Sequence, residues 1–300
     1  MVCVTTAEEL AAAVKAGGYV VLGADIAMTG SVAVSNADFV LDGNGHTITM
    51  AEGATNSIAL FDITGGKAIF KNVTFDGIAG GAVVRTVDVD FTAENVTAQN
   101  GNHTQQQGLF RLLGKSTLIG CVFKNNVCKM VVTLNYDADS SDQYQTIKDC
   151  VFEGNTCNDT AVVHYVYGSG FLFDGNKLIN NTVHSTGNAA SVYLGFKKNC
   201  IVTNNVFDGN TVYGGSGRCT GGLMVGNAAV ITGNAFVNNT VIVEGREGLG
   251  NDVCASPYYA DIDLSGNYWG GGAPVEGDDY HLEYRNYKVT VNDYLTTYAD

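Results

Sequence analysis

The sequence predicts an all-β chain, folded as a single right-handed parallel β-helix solenoid with a short N-terminal capping helix. Three observations carry this. First, six segments align one under another: CVFKNN from Cys121, CVFEGN from Cys150, NKLINN from Asn176, NVFDGN from Asn205, NAFVNN from Asn234 and NYWGGG from Asn267. Their third residue, followed backwards, gives Phe75, Ala98, Phe123, Phe152, Leu178, Phe207, Phe236 and Trp269, spaced 23, 25, 29, 26, 29, 29 and 33 residues apart. A period of that size marks a repeating structural unit. Second, each unit holds short Val, Ile, Phe and Thr runs broken by Gly, Asn and Asp, with no helical periodicity, so the units are strands and turns. Third, like residues recur at like places: Asn126, Asn155, Asn181, Asn210 and Asn239, then Cys128, Cys157, Val183, Val212 and Val241. Coils stacked about 4.8 Å apart set each residue over its counterpart.

The elements follow in chain order. Thr6-Ala7-Glu8-Glu9 is a capping box ahead of LAAAVKAGG, and Gly17 and Gly18 are stop signals, so residues 7 to 16 form a helix. That helix covers the open end of the first coil, and residues 1–18 make up the cap region. The β-helix itself runs over 19–270, with the aromatic row and the Cys/Val row facing inward. The Asn row marks a repeated sharp turn, since Asn tolerates left-handed backbone and its amide both donates and accepts along a stack. Variable repeat length belongs to the turns, which lengthen without disturbing the ladders. The pattern breaks after Trp269, and 271–300 reads as a C-terminal cap and tail. With 45% hydrophobic residues and two prolines in 300, the chain has ample core and few interruptions of strand pairing.

A net charge of −14 argues against nucleic acid and anionic membrane as partners, both of which need a basic face. No apolar stretch reaches the length of a membrane span, so no membrane insertion is expected. The eight cysteines lack CxxC or Cys/His metal spacing, and buried free thiols acting as small hydrophobes fit their ladder places. No cofactor is expected. The one candidate metal loop holds Asp137, Asp139 and Asp142, spaced like calcium ligands; Ser140 stands where an EF-hand-like loop needs Gly, and Thr146 where it needs Glu.

The opening AEELAAAVKAGGYVVLGADIAMTGSVAVSNADFVLDGNGHTITM, the repeated VFxxN turns and the closing GNYWGGGAP resemble the right-handed parallel β-helix, pectin-lyase-like modules of bacterial and archaeal adhesin-like surface proteins. The resemblance covers nearly the whole chain and implies export, an extracellular or cell-surface location and membership of a larger surface protein. Coils of this kind carry lyases, hydrolases, tailspikes and plain stalks alike, so fold does not choose the function. A polysaccharide lyase or glycoside hydrolase needs carboxylates clustered on neighbouring rungs. No such ladder is visible: Asp76 and Asp208 share a place on distant rungs, and the polygalacturonase signatures are absent.

What recurs instead is a set of cationic and aromatic residues on another strand of each coil. The runs AVVRTV, GLFRLL, VVTLNY, AVVHYVY and ASVYLGF place Arg85, Arg111, Asn135, His164 and Tyr193 outward. With Tyr165 and Tyr167 offering further ring faces, and His103 with Gln105, Gln106 and Gln107 in the turn beside Arg111, this face suits a polysaccharide or host-surface glycan. Two adjacent guanidiniums need an anion nearby, and Asp88 or Asp90 is the expected one. The sequence leaves three readings: a glycan-binding surface module, a carbohydrate-active enzyme and a stalk without a ligand.

Overall fold

The computed structural model describes residues 1–54, 56–103, 108–135, 144–167, 170–195, 200–215, 217–226, 229–246, 249–256, 261–282 and 287–298. Its strands fall into four sheets of 12, 11, 6 and 10 members, each built by parallel pairing of one coil on the next. One coil shows the path: Tyr144–Lys148 lies in the first sheet, Val151–Glu153 in the second, Thr156–Cys157 in the third and Ala161–Tyr167 in the fourth. Gly170–Asp174 then returns beside Tyr144–Lys148. The chain is a right-handed parallel β-solenoid, as its repeats predict.

The aromatic row is the spine of the core. Phe75, Ala98, Phe123, Phe152, Leu178 and Phe207 pair rung to rung in the 11-stranded sheet, and every member through Trp269 is buried. Phe123 stacks on Phe152 with ring centroids 5.0 Å apart, and Phe236 stacks on Trp269 at the same distance. The row also extends upstream to Ile48 and Ile26.

The corners of the coil correct one expectation. The left-handed backbone falls on the residue before each ladder Asn: Asn125 (φ 55°), Gly154 (62°), Asn180 (53°), Gly209 (65°) and Asn238 (55°). The ladder Asn that follows points inward and is buried. There its amide does the work of a turn carbonyl. Asn155 Oδ1 accepts the backbone N–H of Asn126 at 3.1 Å, while its Nδ2 donates to the carbonyl of Phe123 at 2.9 Å. A second ladder of Asn176, Asn205, Asn234 and Asn267 does the same at the preceding corner. Cys150 and Cys121 hold the upper rungs of that ladder; Cys150 donates its backbone N–H to Asn176 Oδ1 at 2.9 Å. These bonds satisfy backbone groups that the turns would otherwise bury without partners.

Ala7–Ala16 is helical, with Thr6 as N-cap accepting the Glu9 N–H at 3.2 Å. Leu10 and Val14 seal the N-terminal end of the core. Ahead of the helix, Val2–Val4 already pairs with Gly18–Leu22, so pairing begins before the cap. Beyond Trp269, Tyr280–Leu282, Val289–Thr290 and Tyr294–Leu295 add a strand to three of the sheets. Each of the eight cysteines is a free thiol; Cys128 and Cys157 sit on adjacent rungs with sulfurs 3.9 Å apart. Among the described residues, no helix is long and apolar enough to cross a membrane.

Candidate functional site

Strand alternation builds the candidate site. In the 10-stranded sheet, Val84, Phe110, Val132, Val163 and Val192 face the core, so their neighbours face outward in a single register. That outward row reads Asp62, Arg85, Arg111, Thr133, His164, Tyr193, Met224 and Cys254. Arg85, Arg111, His164 and Tyr193 therefore lie on one line, as the sequence pattern places them. Thr133, rather than Asn135, occupies the rung between Arg111 and His164, because it is the register partner of both; the shift between Leu134 and Asn135 comes after it.

Tyr165 requires a correction. It is 1% exposed and belongs to the main core, stacked on Phe171 with its hydroxyl donating to the carbonyl of Gly170 at 3.3 Å. The strand AVVHYVY carries aromatics at both parities, and the register puts Tyr165 opposite Leu134 and Leu194, both inward. Tyr165 has no ring face to offer a ligand. His103 is also inward, in the row of Cys128, with Nδ1 against the carbonyl of Gly81. Gln105, Gln106 and Gln107 lie outside the described residues, as do Asp137, Asp139 and Asp142 of the candidate calcium loop and the side chains of Asn135 and Tyr167. Among the described residues, no group of three or more His, Cys, Asp and Glu is placed to hold a metal.

The row changes character along the solenoid axis. At one end Arg85 Nη1 meets Asp62 Oδ1 at 2.6 Å; the expected partners are otherwise engaged, since Asp90 pairs with Lys115 at 3.5 Å and Asp88 is a left-handed corner residue. Arg111 stands next to Arg85 and, among the described residues, makes no ion pair; its Nε is buried without a partner. Burial first, and then the neighbouring Arg85 charge, lowers its pKa, while the Asp62 carboxylate opposes the shift. Two rungs on, about 10 Å away, His164 Nδ1 is likewise buried and unpartnered. Burial lowers the His164 pKa to about 4, so the imidazole is neutral at pH 7 and free either to donate or to accept. Its ring stacks on Tyr193, centroids 5.2 Å apart. The far end is apolar: Tyr193, Met224 and Cys254 form a buried cluster with Ala161 and Ala190.

Asp62 and Thr133 belong to this row and are not evident from sequence. Asp62 sits in a coil upstream of the recognisable ladder. Thr133 follows from in-register pairing of Phe110 with Val132, which sets it beside Arg111. The outer carboxylates noted at repeat positions have structural roles: Asp76 and Asp208 accept the side-chain amides of the corner residues Asn100 and Asn238 at 2.8 and 3.0 Å.

No family model matches the chain, and no curated protein matches it. Among solved structures, L. reuteri 53608 SRRP aligns over 97% of this chain and 99% of its own, at 12% identity and a TM-score of 0.32. A likeness of that order carries no argument about function, and the fold rests on the strand pairing described above.

Proposed function

We propose that the outward row of the 10-stranded sheet binds a glycan that carries a carboxylate, and that the chain is an adhesin-like module of a larger surface protein, binding without cleaving. The observation that supports this is Arg111: a half-buried guanidinium with no partner among the described residues, beside an arginine that already has one. A half-buried cation that feels only the Asp62 carboxylate already engaged by Arg85 is under-compensated, and a ligand carboxylate supplies the missing acceptor as a pair of parallel hydrogen bonds. His164 Nδ1 continues the polar floor for a neighbouring hydroxyl, and the ring of Tyr193 begins its buried apolar end. The same row holds one carboxylate, Asp62, which is engaged by Arg85, so it supplies no acid and base pair for glycosidic cleavage.

The test is a glycan array probed with the purified chain, followed by titration of the best ligand against Arg111→Ala. Uronic or other acid-bearing glycans should rank first, and the substitution should weaken them by about 1–3 kcal/mol. Release of unsaturated or reducing ends from a uronic-acid polymer, abolished by one substitution, would instead make the protein an enzyme.

A further inference from the structure

A cavity of about 540 Å³ lies at the corner where the chain leaves the 6-stranded sheet, across three consecutive rungs. It is separate from the outward row of the 10-stranded sheet. Its walls include Asn158 and Asp159 on one rung, His184 and Ser185 on the next and Tyr213 on the third. His184 and Tyr213 are register partners, with ring centroids 4.8 Å apart and planes 9° from parallel. Asn158 and His184 follow the register pair Cys157 and Val183, so the ladder runs Asn158, His184, Tyr213. The aromatic stack therefore stops at His184, because a short amide stands where a third ring would continue it.

We infer that this cavity is a binding site for a neutral pyranoside, whose ring packs on the face of His184 turned away from Tyr213. Three features favour a sugar. Rungs repeat at about the distance at which a flat face packs against a sugar's C–H groups, so a pyranose fits as the next layer of the stack. The rim offers hydrogen-bonding groups that no protein atom engages among the described residues: the Asn158 amide and the second carboxylate oxygen of Asp159, whose Oδ1 accepts Thr160 Oγ1 at 3.0 Å. A carboxylate accepts from two vicinal hydroxyls at once, a pattern common to hexoses. That same carboxylate, with no cation paired to it among the described residues, repels an acidic sugar, so the ligand class differs from that proposed for Arg111. Tyr213 is 42% exposed, which leaves the stack open to solvent and to a ligand.

Asp159 also acts electrostatically on His164, so the two sites are neighbours across one corner of the coil. A branched or mixed glycan could engage both, yet the inference does not depend on the acidic-glycan reading. The experiment keeps them apart. Saturation-transfer difference NMR on the full chain uses methyl β-galactopyranoside, methyl β-glucopyranoside and methyl α-mannopyranoside as probes. Transfer to at least one probe is expected. It should be lost in His184→Ala, weakened about tenfold or more in Asp159→Asn, retained in Tyr213→Phe and unchanged in Arg111→Ala. Tyr213→Phe guards against a folding artefact, since it keeps the ring and removes only the hydroxyl. Absence of transfer from every probe at millimolar concentration, or transfer that persists in His184→Ala, overturns the inference. Failure of acid-bearing glycans to bind, with these probes still bound, would overturn only the Arg111 reading.

Discussion

Asn239 donates its side-chain amide to the carboxylate of Asp252 at 2.8 Å, and Asp252 thereby ends a run of amide hydrogen bonds that begins at Asn126. Each bond points the same way. Nδ2 of Asn126, Asn155, Asn181 and Asn210 reaches Oδ1 of the next ladder Asn at 2.9–3.0 Å. Aligned amide dipoles reinforce one another, and an acceptor-only group is a fitting terminus for a chain of donors. The terminus is buried, however. Burial raises the Asp252 pKa from 3.8 to about 7, the bond from Asn239 opposing the shift and the charge of Asp279 adding to it.

That raised value predicts a pH signature. Between about pH 4 and 7 the folded chain holds a proton on Asp252 that the unfolded chain has released, so this group makes stability fall as pH rises. His103 and His164 act oppositely: burial lowers both to about 4 from 6.5, so between those values the unfolded chain binds protons that the folded chain does not. Two histidines outweigh one aspartate, and unfolding free energy should climb by about 1 kcal/mol per pH unit from 4 to 6.5. In Asp252→Asn the opposing contribution disappears and the climb should steepen to more than about 2 kcal/mol per unit. Urea titrations at half-unit intervals check this. Parallel curves for the two proteins would show that Asp252 titrates as an ordinary carboxylate.

The two corner positions should respond differently to mutation although both are Asn in the sequence. Asn155 makes bonds to Asn126, Phe123 and Asn181, so Asn155→Ala strands several buried backbone and amide groups and should cost at least ~3 kcal/mol. Asn125 lies one residue before a ladder Asn and matters for its positive φ of 55°. Asn125→Gly should therefore be within about 0.5 kcal/mol of wild type, and Asn125→Ala should cost about 1 kcal/mol. Gly154 and Gly209, at the same place on other rungs, show that glycine fits there. Equal losses at Asn125 and Asn155 would contradict this division.

The same pair explains how much was legible in the sequence. Stacked repeats print the core directly, because every rung demands a large apolar residue at one place; Phe123, Phe152 and Phe207 are readable for that reason. Ile26 and Ile48 fill the same row without the flanking Asn or Cys, so the first rungs escaped. The Asn row was readable as a corner but not as a buried ladder, since composition cannot tell a left-handed residue from the inward one beside it. Arg85, Arg111, His164 and Tyr193 followed from alternation. Tyr165 is fixed by the same alternation: as the immediate neighbour of the outward His164 it must point inward, opposite Leu134 and Leu194, so its ring was never available on the outer face. His184 and Tyr213 fall three places after a ladder Asn, one past the inward Val183 and Val212, and stacking of the rungs brings their rings into contact.

Phe152→Ala tests the spine. The side chain is fully buried between Phe123 and the Leu178 rung, and rungs held by backbone bonds on both sides cannot close on the space left. The expected loss is about 3–5 kcal/mol, read from denaturant midpoints at constant m-value. Phe207→Ala, stacked on Phe236 at 4.9 Å, should behave alike. A loss below about 1 kcal/mol at either site would mean that the coil collapses around the missing ring.

Arg85 and Arg111 should separate stability from binding. Arg85 neutralises Asp62 at 2.6 Å with both side chains about three-quarters buried, so Arg85→Ala leaves a partly buried carboxylate alone and should destabilise by ~1–3 kcal/mol. Arg111 forms no ion pair among the described residues, and burial and Arg85 disfavour its charge more than Asp62 favours it. Arg111→Ala removes that repulsion and should leave the melting temperature unchanged or slightly higher, even though the residue is half-buried. Affinity should move the other way, falling for acid-bearing glycans in Arg111→Ala by the amount given above. Arg111→Lys keeps the charge but not the forked donor, so it should recover only part of the affinity. A melting temperature that drops as far in Arg111→Ala as in Arg85→Ala would assign both arginines to the structure and leave the row without its binding group.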